Sequence, residues 1–175
     1  MRARNVAVAA LAVVFVFAQT VRADEAAPAT APAPAASANP PPAAAPKWFT
    51  SLSLAQAEAQ KAGKPILADF TGSDWCPWCI KLRTEVFNTK QFKEWAVKNV
   101  ILLEVDFPQS KPQDDATKKA NRDLAAKYKI EGYPTVLFLT VDGKVLGKSG
   151  YEPGGPAPWT AKAQKMLNAG KPAAN

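Results

Sequence analysis

The stretch GSDWCPWCIKL, residues 72–82, holds both cysteines of a chain of 175 residues. Cys76 and Cys79 are separated by Pro77 and Trp78. A pair at this spacing is compatible with a structural disulfide, with part of a metal site or with a redox centre. The chain contains no histidine, which excludes covalent haem attachment because that motif requires a histidine after the second cysteine.

A metal site would need ligands that this stretch does not supply. A closed structural zinc site takes four nitrogen or sulfur ligands, and the chain offers two sulfurs and no imidazole. Carboxylates such as Asp74, or a second chain, would have to complete it. Two thiolates alone suit the soft ion Cu(I), so copper is the metal that the residues leave open.

A purely structural disulfide is the weaker interpretation. Stabilisation by a cross-link grows with the length of the loop it closes, and this bridge would enclose only two residues. Small exported domains that depend on disulfides carry several of them, whereas this chain has more than enough residues to form a core without one.

The position of the pair favours chemistry. A short apolar run at 65–70 predicts a buried strand directly before it. Cys76 then lies at the start of a helix, where unpaired N–H groups stabilise a thiolate, and Pro77 suits the first helical turn. Cys79 lies one turn inside the helix, so we expect its sulfur to be the more buried of the two.

The rest of the domain alternates helices and strands. Ser53 and Gln56 fit a capping box at the start of a helix that Gly63 ends, and Asp142 with Gly143 predicts a hairpin turn. The predicted strands are 65–70, 99–107, 135–140 and 144–151, and the predicted helices are 53–62, 79–87, 89–98, 114–128 and 157–169. This order indicates an α/β sandwich with a mixed central sheet.

Apolar residues at helical spacing indicate which helix faces pack inward. The residues that we expect in the core are Ile80, Leu82 and Val86 of one helix and Ala116, Ala120, Leu124 and Tyr128 of another. We also expect Trp48, Trp95 and Trp159 to serve in packing alone.

Four features, in this order, resemble the thioredoxin superfamily. They are LADF at 67–70, WCPWC at 75–79, VDF at 105–107 and EGYPT at 131–135. The stretch GSDWCPWC looks like the exported bacterial thioredoxin-like branch, of the disulfide reductase and isomerase type. The resemblance covers residues 48–169 and implies a thioredoxin-like three-layer sandwich, in which helices flank a mixed β-sheet.

The resemblance also implies thiol–disulfide exchange without a cofactor. Cys76 would attack a protein disulfide, Cys79 would resolve the mixed disulfide, and the buried acid Asp69 would accept a proton. The residues implied in substrate binding are Trp75, Pro77, Trp78, Tyr133, Pro134 and Gly150, with Pro134 in the cis form.

Three departures from the family pattern bear on this chemistry. One extra residue separates Asp69 from Cys76, and the strand position where a lysine often neighbours the acid is Leu102, so we expect a weaker proton relay. Strong oxidants of the family place a histidine between the cysteines, whereas Trp78 carries no charge. We therefore expect a reductase or isomerase; a dithiol oxidase, a non-catalytic binding module and a copper carrier are the alternatives.

The residues before Trp48 predict export. Residues 1–23 combine a basic start, an apolar run and a small residue at Ala23, as in a secretory signal peptide; an uncleaved anchor is the alternative. Residues 24–46 include seven prolines among alanines, which predicts a disordered linker. We expect the thioredoxin-like domain at 47–170, a flexible tail at 171–175 and a periplasmic location.

The charge pattern and the predicted export indicate which classes of binding partner to expect. Without residues 1–23 the chain keeps 19 basic and 15 acidic residues, a net charge of +4, scattered rather than clustered. This pattern is typical of a solvated surface and not of a nucleic-acid site. We expect protein disulfides or dithiols as substrates, a membrane thiol donor, and only transient membrane contact if the signal is cleaved.

Overall fold

A five-stranded mixed sheet forms the centre of the computed structural model, which describes residues 45–170. The strands are β1 (Trp48–Phe49), β2 (Ile66–Thr71), β3 (Ile101–Asp106), β4 (Thr135–Leu139) and β5 (Val145–Ser149). Their spatial order is β1-β3-β2-β4-β5. Strand β3 runs parallel to both β1 and β2, whereas β4 is antiparallel to β2 and β5.

Burial of the central strands follows from their composition. All six residues of β2 and all five of β4 are buried, as expected for strands covered on both faces. The two-residue strand β1 was not predicted, because Trp48 and Phe49 are too short a run to give a periodic signal. They pair with Leu102 and Leu103 at the edge of the sheet.

Helices cover both faces of the sheet. They are α1 (Leu52–Ala62), α2 (Pro77–Leu82), α3 (Lys90–Asn99), α4 (Asp115–Lys127) and α5 (Pro156–Ala169). Buried residues of α1 pack on one face together with part of α4, and α2, α3 and α5 contribute to the core on the other. The three-layer thioredoxin-like sandwich is therefore confirmed.

The start of α1 differs from the prediction. Ser51, not Ser53, is the residue before the helix, and the two hydroxyl groups hydrogen-bond each other at 2.9 Å instead of capping the backbone. The end is as predicted: Gly63 adopts a left-handed conformation with φ of 63° and its N–H contacts the last carbonyls.

The helix predicted at 79–87 is two segments. A π-helical turn, Arg83–Phe87, follows α2 directly. Leu82 and Val86 are buried as predicted, but Ile80 is 45% exposed. The expectation for Ile80 was wrong because it points away from the side of the helix that buries Cys79 and Leu82.

The predicted inner face of α4 was also partly wrong. Ala116 and Ala120 are exposed, and Leu124 is only half-buried. The buried residue of the helix is Asn121, whose side-chain amide donates to the Asp106 carbonyl at 2.8 Å. Leu124 and Tyr128 pack against the core cluster on this face, so the prediction failed for the two alanines at the start of the helix.

The predicted packing role of the tryptophans is confirmed. Trp159 is buried, and its ring contacts Phe87 and Phe92 with centroids 5.4 and 5.7 Å apart. Trp48 and Trp95 pack against the same cluster. These aromatic contacts fix the helices that lie behind the cysteine pair.

The predictions for the termini fall largely outside the described residues. The signal peptide at 1–23, nearly all of the linker at 24–46 and the tail at 171–175 lie there. Between residues 45 and 170, none of the helices is long and apolar enough to cross a membrane.

Candidate active site

The cysteine pair lies at the start of α2. Cys76 is the residue before the helix, and Pro77 occupies its first turn. The two cysteines form a disulfide with their Cα atoms 5.2 Å apart. The backbone N–H of Cys79 points to the Cys76 sulfur at 3.2 Å. A thiolate formed at Cys76 would accept this hydrogen bond, which stabilises its charge.

Both cysteines are almost fully covered in the disulfide form. Cys76 is 4% exposed and Cys79 is 3% exposed, so the expected difference between them is absent in this state. The exposed residues are their neighbours Trp75, Pro77 and Trp78. The surface around the covered disulfide is therefore formed by two exposed tryptophans and a proline.

One side of this surface is an aromatic cluster around the cis-proline loop. The peptide bond between Tyr133 and Pro134 is cis, as predicted. The Trp75 ring meets Tyr133 edge-on at 5.9 Å, and Phe107 lies 5.2 Å from Tyr133. The Trp75 indole N–H donates to the Phe107 carbonyl at 2.7 Å. Sequence reasoning missed Phe107, although it ends the VDF stretch.

The other side is a groove of about 650 Å³. Four predicted binding residues line it: Trp78, Tyr133, Pro134 and Gly150. Lys81, Tyr151 and Pro153 also line it and were not predicted. Trp75 and Pro77 are not among its lining residues, so the groove brings together four of the six predicted binding residues.

Lys81 and Tyr151 shape the groove around Trp78. The Trp78 and Tyr151 rings are 5.3 Å apart, and the Lys81 ammonium lies 5.0 Å from the Trp78 ring. The Tyr151 hydroxyl donates to Glu85 at 2.8 Å. Tyr151 follows Gly150 in the sequence, which is the signal that could have indicated it.

Gly150 keeps the groove open beside the proline. A Cβ atom at this position would lie 3.1 Å from the Pro134 carbonyl oxygen, a tight contact. The Trp159 indole N–H donates to the Gly150 carbonyl at 3.0 Å. The buried tryptophan therefore fixes the backbone at the groove.

The residues just before the cysteines hold the loop that follows β3. Asp74 accepts hydrogen bonds from the backbone N–H groups of Gln109, Ser110 and Lys111, at 3.0, 2.7 and 3.0 Å. The hydrogen bond from Gln109 is the largest contribution that lowers the pKa of Asp74 below its ordinary value. Ser73 donates to Asp106 through its N–H and its hydroxyl.

Asp69 lies on β2 in the layer behind the disulfide. Its side chain is buried, and its Oδ1 has no hydrogen-bond partner within residues 45–170. Burial raises the pKa of Asp69 from 3.8 to about 7, with the Arg83 charge acting in the opposite direction. A carboxyl with this pKa exchanges a proton near neutral pH.

The cation near Asp69 does not come from the strand position considered in the sequence. Leu102 lies opposite Leu67, and Glu104 is the residue opposite Asp69. Arg83, from the π-helical turn, binds Glu104. Nothing in the linear spacing indicated that this arginine reaches the sheet.

The only cysteine thiols between residues 45 and 170 are those of Cys76 and Cys79, which are joined in the disulfide. No group of three or more potential histidine, cysteine, aspartate or glutamate ligands occurs in this part of the chain. In the reduced form, the two thiolates would suit Cu(I).

Comparison with curated proteins gives relatives of one kind. The disulfide bond reductase DsbH of Chlamydia pneumoniae is 39% identical over 125 residues, which are 71% of this chain and 75% of the relative. The thiol:disulfide interchange protein DsbD of Klebsiella pneumoniae is 33% identical over 91 residues, 52% of this chain but only 14% of that protein.

Comparison with solved structures agrees. A structure of a DsbH oxidoreductase matches with a TM-score of 0.70 and 38% identity, over 74% of this chain and 90% of that chain. A thioredoxin from Thermus thermophilus matches with a TM-score of 0.54 and 19% identity, over 72% and 91% of the two chains, and shows the shared fold.

The family model of the thioredoxin-like domain matches residues 52–157, a range that includes the disulfide, the buried acid, the cis-proline and the groove. Together with the DsbH similarity, this match shows that the chain belongs to the thioredoxin-like family and is a thiol–disulfide oxidoreductase.

Proposed function

We propose that this protein reduces or isomerises protein disulfides in the bacterial periplasm, with Cys76 as the attacking and Cys79 as the resolving residue. The observation that carries the proposal is the Cys76–Cys79 disulfide at the start of α2, beside the cis Pro134 and the exposed aromatic surface. The name of the DsbH relative, a disulfide bond reductase, supports the reductive direction.

The exchange proceeds in two displacements. The Cys76 thiolate attacks one sulfur of a substrate disulfide, forms a mixed disulfide and releases the other substrate sulfur as a thiolate that takes up a proton. The Cys79 thiolate then attacks the Cys76 sulfur, which restores the disulfide seen here and releases the second substrate thiol. Two electrons pass from the protein to the substrate.

Asp69 would accept the proton that Cys79 loses before it attacks. Its burial, the unpartnered Oδ1 and a pKa of about 7 support this role, because a general base is most effective when its pKa lies near the working pH. Proton transfer would occur in the layer behind the disulfide, away from the bound substrate.

The substrate would dock across the cis-proline loop. The backbone before Pro134 offers an edge for an extended segment, and the groove lined by Trp78, Gly150 and Tyr151 takes an adjoining side chain. The apolar and aromatic lining favours unfolded or misfolded proteins, which expose such side chains.

A dithiol donor must return the Cys76–Cys79 pair to its reduced form after each turnover. We propose a membrane thiol donor that faces the periplasm. The predicted signal at residues 1–23 supports this location, and the similarity to part of the thiol:disulfide interchange protein DsbD supports exchange within such a chain of dithiols.

Reduction of insulin by dithiothreitol tests the activity. The wild type is expected to accelerate precipitation of the reduced insulin B chain, and Cys76→Ser is expected to give the uncatalysed rate. A wild type without catalysis would contradict the proposal in favour of a binding module. Oxidation of a reduced test protein faster than reduction would favour the dithiol oxidase, and copper retained after chelator washing would favour the copper carrier.

Trapping in the host identifies substrates. Cys79→Ser cannot resolve its mixed disulfide, so it is expected to accumulate covalent complexes that dithiothreitol releases. The matched control is the double variant with Cys76→Ser, which is expected to trap nothing. Complexes that persist in the double variant would contradict the assigned roles of the two cysteines.

A further inference from the structure

Three charged residues lie together on the sheet face behind the disulfide. Asp69 of β2 and Glu104 of β3 are direct neighbours in a parallel register, so their side chains project from the same face. This face also carries Leu67 and Leu102, which pack in the core cluster that includes Leu82 of α2. Two carboxyl groups therefore adjoin on the side of the sheet that faces the cysteine helix.

The Arg83 guanidinium reaches from the helix layer to one of these carboxyl groups, that of Glu104. Its side chain is about one-third exposed and binds the Glu104 carboxylate, which is about one-fifth exposed. The Arg83 backbone N–H donates to the Cys79 carbonyl, one turn before it in the helix. The same residue thus contacts the cysteine helix through its backbone and β3 through its side chain.

Arg83 is also the first residue of the π-helical turn. Asn88 donates its backbone N–H to the Arg83 carbonyl at 2.8 Å, a bond that spans five residues rather than four. Such turns insert one residue into a helix and occur often at functional sites. The wider turn starts at the residue that reaches Glu104.

The other surroundings of Asp69 are apolar or acidic. On its second side, β4 places Val136 opposite Asp69. Asp106, two residues beyond Glu104, adds a further negative charge, held by Ser73. Burial is the largest factor that raises the pKa of Asp69, Glu104 and Asp106 raise it further, and the positive charge of Arg83 lowers it.

We propose that Arg83 and Glu104 together control whether Asp69 is charged, and thereby set the pH at which Cys79 resolves the mixed disulfide. Arg83 favours the charged carboxylate of Asp69, and Glu104 opposes it while it holds the guanidinium in place. Both are positioning residues that act through Asp69. The inference rests on the role of Asp69 in the proposed function.

The two residues therefore have effects of opposite sign on one carboxyl group. Arg83→Gln removes the cation, so Asp69 holds its proton to higher pH. Glu104→Gln removes an anion but keeps an oxygen that accepts a hydrogen bond from Arg83, so Asp69 releases its proton at lower pH. A residue with a merely structural role has no reason to produce this pair of opposite shifts.

The test is the titration of the Asp69 carboxyl group, followed by carbon NMR on the full-length oxidised protein, with Asp69→Asn to assign the signal. We expect the midpoint to rise by about one pH unit in Arg83→Gln and to fall in Glu104→Gln. Arg83→Lys keeps the positive charge, so its midpoint is expected to lie close to that of the wild type. Lys119→Gln, which removes a cation from the exposed pair with Asp123, is expected to leave the midpoint unchanged.

The second readout is the pH dependence of mixed-disulfide resolution by Cys79, measured by rapid mixing with a disulfide peptide. Its midpoint is expected to follow the NMR titration in each variant. Equal midpoints in all variants, or shifts of the same sign in Arg83→Gln and Glu104→Gln, would overturn the inference.

The titration requires no turnover, so the two proposals fail separately. Opposite NMR shifts in a protein that does not exchange disulfides would overturn the proposed function and support the electrostatic control of Asp69. The opposite outcome is normal disulfide exchange in which the rate of resolution does not change across the pH range where Asp69 titrates. This result would overturn the inference and support the activity of the cysteine pair.

Discussion

Asp69 is the residue at which burial and chemistry conflict most directly. A carboxyl group placed on a central strand without a partner for Oδ1 destabilises its own charged form. Among the buried side-chain nitrogen and oxygen atoms of residues 45–170, Asp69 Oδ1 is the one without a hydrogen-bond partner. Such an unpartnered buried acid is typical of a group that exchanges a proton during the reaction.

Replacement of Asp69 by asparagine is expected to change how stability depends on pH. The folded protein keeps the Asp69 proton up to about pH 7, whereas the unfolded chain loses it near pH 3.8. The folded state therefore binds more protons between these values, and the free energy of unfolding falls as pH rises through this window, by up to about 4 kcal/mol.

Urea unfolding of the oxidised protein at pH 5 and pH 8 measures this effect. Asp69→Asn lacks the titrating group, so the variant is expected to gain stability relative to the wild type at pH 8 and to gain little at pH 5. The same difference between variant and wild type at both pH values would show that Asp69 does not titrate in this window.

We expect Trp78, which stands between the two cysteines, to influence their reduction potential. Its exposed ring lies next to Tyr151 and the Lys81 ammonium, and it places no charge between the cysteines. Trp78→His is expected to stabilise the Cys76 thiolate and to raise the reduction potential by about 30 mV or more, a tenfold change in the equilibrium with glutathione.

Equilibration with glutathione, followed by thiol alkylation and gel shift, measures this potential. Trp78→Phe is the matched control: it keeps an aromatic ring without a ring nitrogen, so its potential is expected to stay within about 10 mV of the wild type. A potential in Trp78→His equal to that in Trp78→Phe would show that charge at this position does not control the Cys76 thiolate.

Elements differ in how far the sequence predicted them. Strands β2 and β4 came from short apolar runs with clear boundaries, and Cys76 and Pro134 came from short motifs that occur in the family's order. Features that depend on tertiary contact were missed. The contact of Arg83 with Glu104 and the anchoring of α4 by Asn121 have no linear signature, because each depends on a partner from another element. The π-helical turn was missed as well, since the apolar spacing at 79–87 indicates only a continuous helix.

The loop after β3 is held in place by hydrogen bonds with the segment just before Cys76. Asp74 holds residues 109–111 by three backbone hydrogen bonds, and Trp75 holds the Phe107 carbonyl. Asp74→Ala is expected to release this loop, because the three N–H groups lose their shared acceptor. Hydrogen exchange of the amides of 109–111 is expected to accelerate about tenfold, and insulin reduction to slow.

The matched control for this loop is Asp123→Ala, which removes an exposed acid from α4 that binds only Lys119. It is expected to leave both hydrogen exchange at 109–111 and insulin reduction unchanged. Unchanged exchange in Asp74→Ala would mean that the loop is held by its own conformation rather than by the segment before Cys76.

At the scale of the whole molecule, the two core clusters lie on opposite faces of one sheet, and every residue in them falls within 47–170. The disulfide, Asp69 and the groove lie in the same range. We therefore expect a fragment of residues 47–170 to fold. Its exchange activity is expected to equal that of the longer chain without the predicted signal, residues 24–175.

Thermal unfolding and insulin reduction compare the two forms. Because both clusters close within the fragment, its melting temperature is expected to agree with that of the longer chain within about 2 °C, a difference well under 1 kcal/mol for a domain of this size. Insulin needs no tether or membrane partner, so the rates are expected to agree as well. A fragment that melts several degrees lower would show that residues 24–46 or 171–175 stabilise the domain. The groove between α1 and α4, about 570 Å³ in volume, would be the first place to probe by cross-linking.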